Sequence, residues 1–235
     1  MGCPHKQNHN GFTLVEISIV MIIIGLLIGG TFGGMKLIEN MQVNKTVQDL
    51  KAIESAALTF KDTYGRLPGD MPNTAARLPN CTDAPCATGG NGDRILDSSL
   101  GPTDPITATS ERFTFWHHLQ AADMLSIGTK NVADLNFGQG QPDNPIEGGY
   151  RLTNWNGIDC QVNRDRTQLI LTRAESANFL ATGMRCAQFE PVDRKIDDGM
   201  PRSGTFNAGS GCGLVCGAPY TTTTSGLIAY DLKGF

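Results

Sequence analysis

The sequence predicts an α+β protein: one long N-terminal helix, transmembrane and then amphipathic, packed on a small antiparallel β-sheet with long disulfide-stapled loops. Three observations carry this expectation. The chain opens on a long apolar run. The run gives way to apolar residues at steps of three and four, the mark of a one-sided helix. Beyond Tyr64 the composition shifts to Gly, Pro, Asn and Asp, broken by short segments of strand character.

The first element is "GFTLVEISIVMIIIGLLIGG". From Phe12 to Met35 the only ionisable residue is Glu16. A helix needs roughly 20 apolar residues to cross the hydrocarbon core of a bilayer, and this run supplies them. A cleaved secretory signal has a shorter apolar region, a basic start and a small-residue cut site. No such site follows here, and Gly29, Gly30, Gly33 and Gly34 continue into helical sequence. Lys6 and Lys36 flank the span, so charge orients it only weakly.

The second part of the helix carries the stripe Val43, Val47, Leu50, Ile53, Ala57, Phe60 and Tyr64. Lys45, Gln48, Asp49, Lys51, Glu54 and Lys61 fall elsewhere on the wheel. No proline interrupts Phe12 to Tyr64, so one helix of about 80 Å is expected. Gly65 and Pro68 end it. The chain thus divides into 1–11, a span at 12–35, an amphipathic continuation at 36–64 and a globular α+β domain at 65–235.

Within that domain, "RLPGDMPN" reads as two successive turns. "ERFTFWHHLQAADML" reads as a short helix with Phe113, Trp116, Leu119 and Leu125 facing inward. "GGYRLTNW" and "TQLILTR" read as strands, "AESANFLATGM" as a second short helix, and "TFNAG" and "TTTTSGLIAYDL" as further strands.

Composition narrows the function. A formal net charge of -4 over 235 residues argues against broad nucleic-acid binding, which wants a basic patch. With 28 Gly, 12 Pro and only 7% aromatics, the chain suits a loop-rich domain better than a helical bundle.

Glu16 is the odd residue. A carboxylate inside a span is costly and marks a functional site by default. Nothing nearby neutralises it. A cut after Gly11 would give Phe12 a new α-ammonium, which a straight helix cannot fold back onto its own Glu16. It could meet the Glu16 of a neighbouring copy, neutralising both charges and setting the axial step of a polymer.

Gly11-Phe12-Thr13-Leu14-Val15-Glu16 and the apolar run after it resemble the type III signal of type IV pilins and type II secretion pseudopilins. The resemblance covers Gly11 to about Tyr64. It implies a cytoplasmic leader from Met1 to Gly11 and cleavage between Gly11 and Phe12 by a membrane aspartyl prepilin peptidase. It also implies N-methylation of Phe12 and a role for Glu16 in assembly. The leader departs from the pattern in having Lys6 as its single firm positive charge. Gly25, Gly29 and Gly33 are four apart, as are Gly30 and Gly34, a spacing that lets helices approach closely in a membrane. Glycine weakens a helix by about 1 kcal/mol per residue. The helix-breaking proline common in pilins here is missing, and the glycines are expected to supply local melting in its place.

The cysteines fit export. Of seven, Cys3 would leave with the leader, and Cys81, Cys86, Cys160, Cys186, Cys212 and Cys216 would remain. An even number in a glycine-rich domain suggests disulfides in an oxidising compartment. Proximity in sequence suggests the pairs Cys81–Cys86, Cys160–Cys186 and Cys212–Cys216. The rival reading is zinc on Cys81, Cys86, Cys212 and Cys216.

Two acidic clusters invite a cation. "GGNGDRILD" offers Asn91, Asp93 and Asp97, and "DRKIDDG" offers Asp193, Asp197 and Asp198. Calcium takes six to eight oxygens, which short acidic loops can supply. Neither matches the EF-hand pattern, and Asp also builds turns. No G-x-S-x-G, H-E-x-x-H or Walker motif suggests an enzyme. His117 and His118 beside Trp116 read as structural.

The sequence therefore reads as a non-enzymatic, pilin-like filament subunit, minor or specialised, or as a pseudopilin of a type II secretion system. Its expected partners are prepilin peptidase, other pilin-like subunits, the inner-membrane assembly platform and the membrane. Nucleic acid is not expected, and no cofactor beyond calcium is. The chain would pass once through the bacterial inner membrane and then join a periplasmic or surface filament. The reading of another class is a signal-anchored exported binding or enzymatic domain that does not polymerise.

Overall fold

The structure is a computed structural model that describes residues 11–97, 104–126, 133–154, 167–173, 183–209, 211–213, 219–221 and 225–233. The chain forms two compact units, Met1–Met41 and Gln42–Phe235.

Helix α1 runs unbroken through Leu14–Tyr64. In the first unit every described residue is exposed. In the second unit the stripe is buried as its spacing predicts: Val43, Leu50, Ile53, Ala57 and Phe60, joined by Thr46 and Ala56. Val47 and Tyr64 pack at its margin. Burying a side chain such as Leu50 or Phe60 is worth about 1.5–3 kcal/mol, so this half of the helix is held by packing. Burial begins near Gln42, beyond the end of the apolar run at Met35. Gly65 ends the helix with φ 69° and donates its N–H to the Lys61 carbonyl at 2.8 Å, a left-handed cap that glycine adopts without strain.

The remaining helices are α2 (Thr74–Arg77), α3 (Glu111–Ala121) and α4 (Cys186–Ile196). The strands are β1 (Gly149–Asn154), β2 (Thr167–Thr172), β3 (Met184–Arg185), β4 (Phe206–Ala208), β5 (Ser225–Gly226) and β6 (Ile228–Asp231). Four form an antiparallel sheet in the order β1-β2-β6-β4, and β3 pairs with β5. The register aligns Leu152 with Leu169, Leu169 with Tyr230 and Tyr230 with Phe206. One face therefore presents Leu152, Leu169, Tyr230 and Phe206, which join the α1 stripe in a single core. The alternate positions Arg151, Gln168 and Asp231 are polar yet buried. Gln168 donates its side-chain amide to Asp231 Oδ1 at 2.6 Å. Glu54 on α1 ties the end of the chain to the helix, accepting the Tyr230 hydroxyl at 2.7 Å and the Lys233 N–H at 3.0 Å.

The fold class is the expected one, with local corrections. Helix α3 ends at Ala121, where Asp123 takes φ 53°, so Leu125 lies beyond it and is only partly buried. Its whole circumference is buried, including His117 and His118, so no amphipathic face exists to be read. The expected helix at "AESANFLATGM" falls mostly outside the described residues; its last residue, Met184, is in β3. Helix α4 was not expected, because Pro191 lies inside it.

The cysteine pairing also differs. Cys81–Cys86 is present, with Cα atoms 5.3 Å apart. Cys186 pairs with Cys212, again at 5.3 Å between Cα atoms, which overturns Cys160–Cys186 and Cys212–Cys216. The β3–β5 pairing explains it. Cys186 directly follows β3, and Gly226 of β5 lies so close to Cys212 that a Cβ there would meet the sulfur at 2.6 Å. Strand pairing, not sequence distance, brings the two together. With Cys81, Cys86 and Cys212 in disulfides, the four-cysteine zinc site does not form. Cys160 and Cys216 lie outside the described residues.

Two glycines separate backbone conformation from crowding. Gly65 has φ +69° and open space around an added Cβ, whereas Gly69 has φ +85° and would place a Cβ 2.2 Å from the Glu111 carbonyl oxygen. Gly65→Ala is expected to cost about 1–2 kcal/mol and Gly69→Ala more than about 3 kcal/mol. Urea unfolding of the detergent-solubilised chain checks this. Equal losses would mean that the close approach at Gly69 is not a constraint.

Candidate functional site

The N-terminal segment is built around Thr13. It precedes the first helical residue, and its carbonyl accepts the Ile17 N–H at 3.3 Å. Its hydroxyl accepts the Glu16 N–H at 3.3 Å, while Glu16 Oε2 accepts the Thr13 N–H at 2.9 Å. The Thr13 hydroxyl also donates to Glu16 Oε2 at 2.9 Å. This is a reciprocal capping box: two backbone donors left open by the helix start are satisfied by two side chains. The spacing T-x-x-E ahead of an apolar run signals it in the sequence, and the sequence reading passed over Thr13. The cap fixes Glu16 on the first turn, four residues after Phe12.

Beyond the cap the helix surface is apolar. Its hydroxyls turn inward to the backbone: Ser18 donates to the Val15 carbonyl and Thr31 to the Ile28 carbonyl, each at 2.8 Å. The helix contains an 18-residue window of mean hydropathy 2.4, long and apolar enough to cross a membrane. Added Cβ atoms at Gly25, Gly29, Gly30, Gly33 and Gly34 would meet nothing within 4 Å. Among the described residues no contact requires glycine there, although each weakens the helix.

In the second unit, Asn91, Asp93 and Asp97 belong to a loop wound around two buried acids. Asp70 of "LPGD" accepts the Gly92 N–H at 2.7 Å and the Arg94 N–H at 3.0 Å. Glu111 accepts the N–H groups of Asn91 at 2.8 Å and Asp97 at 2.6 Å. Asp97 in return caps α3, accepting the N–H groups of Glu111 at 2.8 Å and Arg112 at 3.2 Å, and its Oδ2 pairs with Arg112 Nε at 2.8 Å. Asp93 accepts the Ile95 N–H at 2.8 Å and the Asn91 side-chain amide at 2.9 Å. The oxygens face N–H donors, so this loop is organised by its backbone donors. Burial raises Asp70 and Glu111 above the ordinary carboxylate range, against the N–H groups that lower them.

His118 joins this loop system to the Cys81–Cys86 turn. Its Nδ1 accepts the Gly69 N–H at 2.7 Å, so the ring proton resides on Nε2, which donates to the Cys86 carbonyl at 3.1 Å. Burial, with a smaller contribution from His117, pushes its pKa down to about 4. Both nitrogens are engaged with backbone, which suits a structural histidine.

At the end of α4, Asp193, Asp197 and Asp198 converge, each offering a carboxylate oxygen within 4.8 Å of the others. Asp193 is buried and accepts the Tyr220 hydroxyl at 2.7 Å. Burial and the neighbouring Asp197 push it up to about 8. Burial also opposes charge on Asp197, but its bond to Asp193 and the N–H groups of Phe206, Thr205 and Asp198 hold it below the ordinary range. The acids were legible in the sequence; Tyr220, distant along the chain, was not. A separate groove of about 440 Å³ is lined by Lys45, Asp49, Ile53, Leu125, Pro142 and Tyr150. Lys45 and Asp49 pair there at 2.6 Å.

Comparison with known proteins agrees with the N-terminal geometry. The family model of the prokaryotic N-terminal methylation motif matches residues 6–32. The chain therefore carries the signal shared by type IV pilins and pseudopilins, on a pilin-like α+β fold. No curated protein and no solved structure matches it significantly.

The His118 arrangement predicts an acid-sensitive fold. The unfolded imidazole takes up a proton near its ordinary pKa of 6.5, the folded one only near 4, so the unfolded state gains protons first. The contribution is whole above about pH 6.5 and is lost as pH falls toward 4, by at most about 1.4 kcal/mol per pH unit. Stability measured across this window should fall more steeply for the wild type than for His118→Gln. Parallel slopes would show that His118 does not titrate in this way.

Proposed function

We propose that the chain is a prepilin-type subunit of a type IV pilus or a related filament. It enters the membrane by α1, loses Met1–Gly11 to a prepilin peptidase, is methylated on Phe12 and polymerises through its apolar half-helix. The observation that carries this reading is the methylation motif at residues 6–32, set on a helix whose apolar surface is exposed throughout its first unit. In this reading Glu16, placed by the Thr13 cap, receives the Phe12 ammonium of a neighbouring copy in an apolar surround where an unpaired charge is costly. The glycines let neighbouring helices approach. The disulfide-bonded unit forms the outer surface, in the periplasm or beyond. We read the role as structural and not catalytic, with the inner-membrane assembly platform as the further partner. A minor or specialised subunit fits the large loop-rich domain; a secretion pseudopilin is the variant reading.

Intact mass and N-terminal sequencing, with and without active peptidase, test the pathway. A chain beginning at N-methylated Phe12 only with active peptidase is expected. A chain retaining Met1–Gly11 in both strains would leave a signal-anchored domain instead. Glu16→Ala should insert at wild-type level yet lose filament incorporation by tenfold or more, measured by sedimentation of sheared surface or periplasmic polymer. Unchanged incorporation would contradict the role given to Glu16.

A further inference from the structure

The groove of about 440 Å³ beside the second half of α1 has a fixed wall and an unbalanced charge. The wall is the turn before β1. Tyr150 donates its N–H to the Pro142 carbonyl at 3.0 Å, and Asn144 donates its N–H to the Gly148 carbonyl at 2.8 Å. The Asn144 side chain closes the turn: its Oδ1 accepts the Ile146 N–H at 2.9 Å, and its amide donates to the Tyr150 hydroxyl at 2.7 Å. The same amide reaches the Thr46 hydroxyl on α1 at 3.4 Å. Turn, strand and helix are tied together, so the groove is preformed, and its volume is that of an ordinary binding cleft. Its lining mixes carbon and charge: Ile53, Leu125, Pro142 and Pro145 with Lys45, Asp49 and Asp143. Lys45 and Asp49 neutralise each other at 2.6 Å. Asp143 is exposed, and its carboxylate has no hydrogen bond or ion pair among the described residues. The groove therefore carries one negative charge in excess. Burial, and then Asp49 and Asp143, hold the Tyr150 phenol above its ordinary range, which sets both carboxylates near the groove floor.

The first unit carries a segment of matching chemistry. Phe12–Met35 already supplies the roughly 20 residues that a bilayer needs, so residues 36–41 lie beyond the span. Leu37, Ile38 and Met41 are nevertheless exposed. Leu37 and Met41 stand four apart, and Ile38 and Met41 three apart, so the three share one face of the helix. Lys36 flanks that face, and Glu39 falls on the opposite side of the wheel. Lys36 is exposed and has no ion pair among the described residues. A helix that presents apolar side chains at these spacings is what an apolar groove recognises, and a cation at its edge complements an unpaired carboxylate.

We propose that this groove is a docking site for a second copy of the chain: it takes Leu37, Ile38 and Met41 of that copy's α1, with the second copy's Lys36 set against Asp143. The inference rests on the filament reading, in which copies lie side by side on their N-terminal helices. The contact joins the disulfide-bonded unit of one subunit to the helix of its neighbour. The apolar side chains supply the burial, and the Lys36–Asp143 pair selects the register, since other registers leave the carboxylate without a cation.

Charge reversal in the full chain, read as incorporation into sheared surface or periplasmic polymer, tests the contact. Both positions are exposed, so the variants should insert in the membrane at wild-type level and melt at the wild-type temperature. Lys36→Glu and Asp143→Lys should each lower incorporation about fivefold, because each sets like charges together. The two combined should restore it to within about twofold of the wild type, a rescue that a merely structural role would not give. A photo-crosslinking residue at Leu37, which needs neither variant, should form adducts with residues 142–150 of another copy. Single reversals that incorporate like the wild type, a double variant no better than the worse single one, or Leu37 adducts that map elsewhere would overturn the contact and leave the filament reading in place. A wild type that retains Met1–Gly11 and does not polymerise would overturn both.

Discussion

Everything in this chain follows from one helix whose two halves meet different demands. The first half has an apolar surface with no partner in its own unit: the exposed residues include Phe12, Leu14, Leu26 and Phe32. The second half buries one stripe and exposes the rest, as water requires. No proline separates the two, and the backbone passes from one regime to the other without a break. A surface as apolar as that of residues 12–41 marks an interaction with membrane or protein. The methylation motif lies at its start.

The second unit relies on carboxylates that bind backbone N–H groups. Asp70, Asp97 and Glu111 organise the loop before α3, and Asp197 and Asp198 organise the loop after α4. Long loops leave many backbone donors without ladder partners, and each buried donor must be satisfied. Here acidic side chains do this work, aided by glycines where the chain passes close to them. The same economy has one exception. Asp193 is not met by loop N–H groups and is partnered instead by the Tyr220 hydroxyl and by the neighbouring Asp197 carboxyl.

The N-terminal helix, its stripe and its end at Gly65 were legible because each follows from local sequence: periodicity, the absence of proline and one glycine. The strands at Gly149–Asn154 and Thr167–Thr172 were legible for the same reason. What failed was non-local. The partner of Cys186 depends on a two-residue strand pairing that no periodicity announces. Helix α4 was hidden by Pro191, and the inward faces of α3 by its complete burial. Asp97 looked like a ligand because its role as a distant cap requires the fold. Thr13 was a local signal that was missed: its spacing from Glu16 announces the cap.

On the proposed function, the exposed apolar half of α1 packs against the same helix of other subunits after processing. A photo-crosslinking residue at Leu26, 73% exposed in the single chain, tests it directly in native membranes. Adducts between pilin-like chains are expected that appear with active prepilin peptidase and disappear with Glu16→Ala. Lipid adducts alone, identical with and without the peptidase, would contradict it.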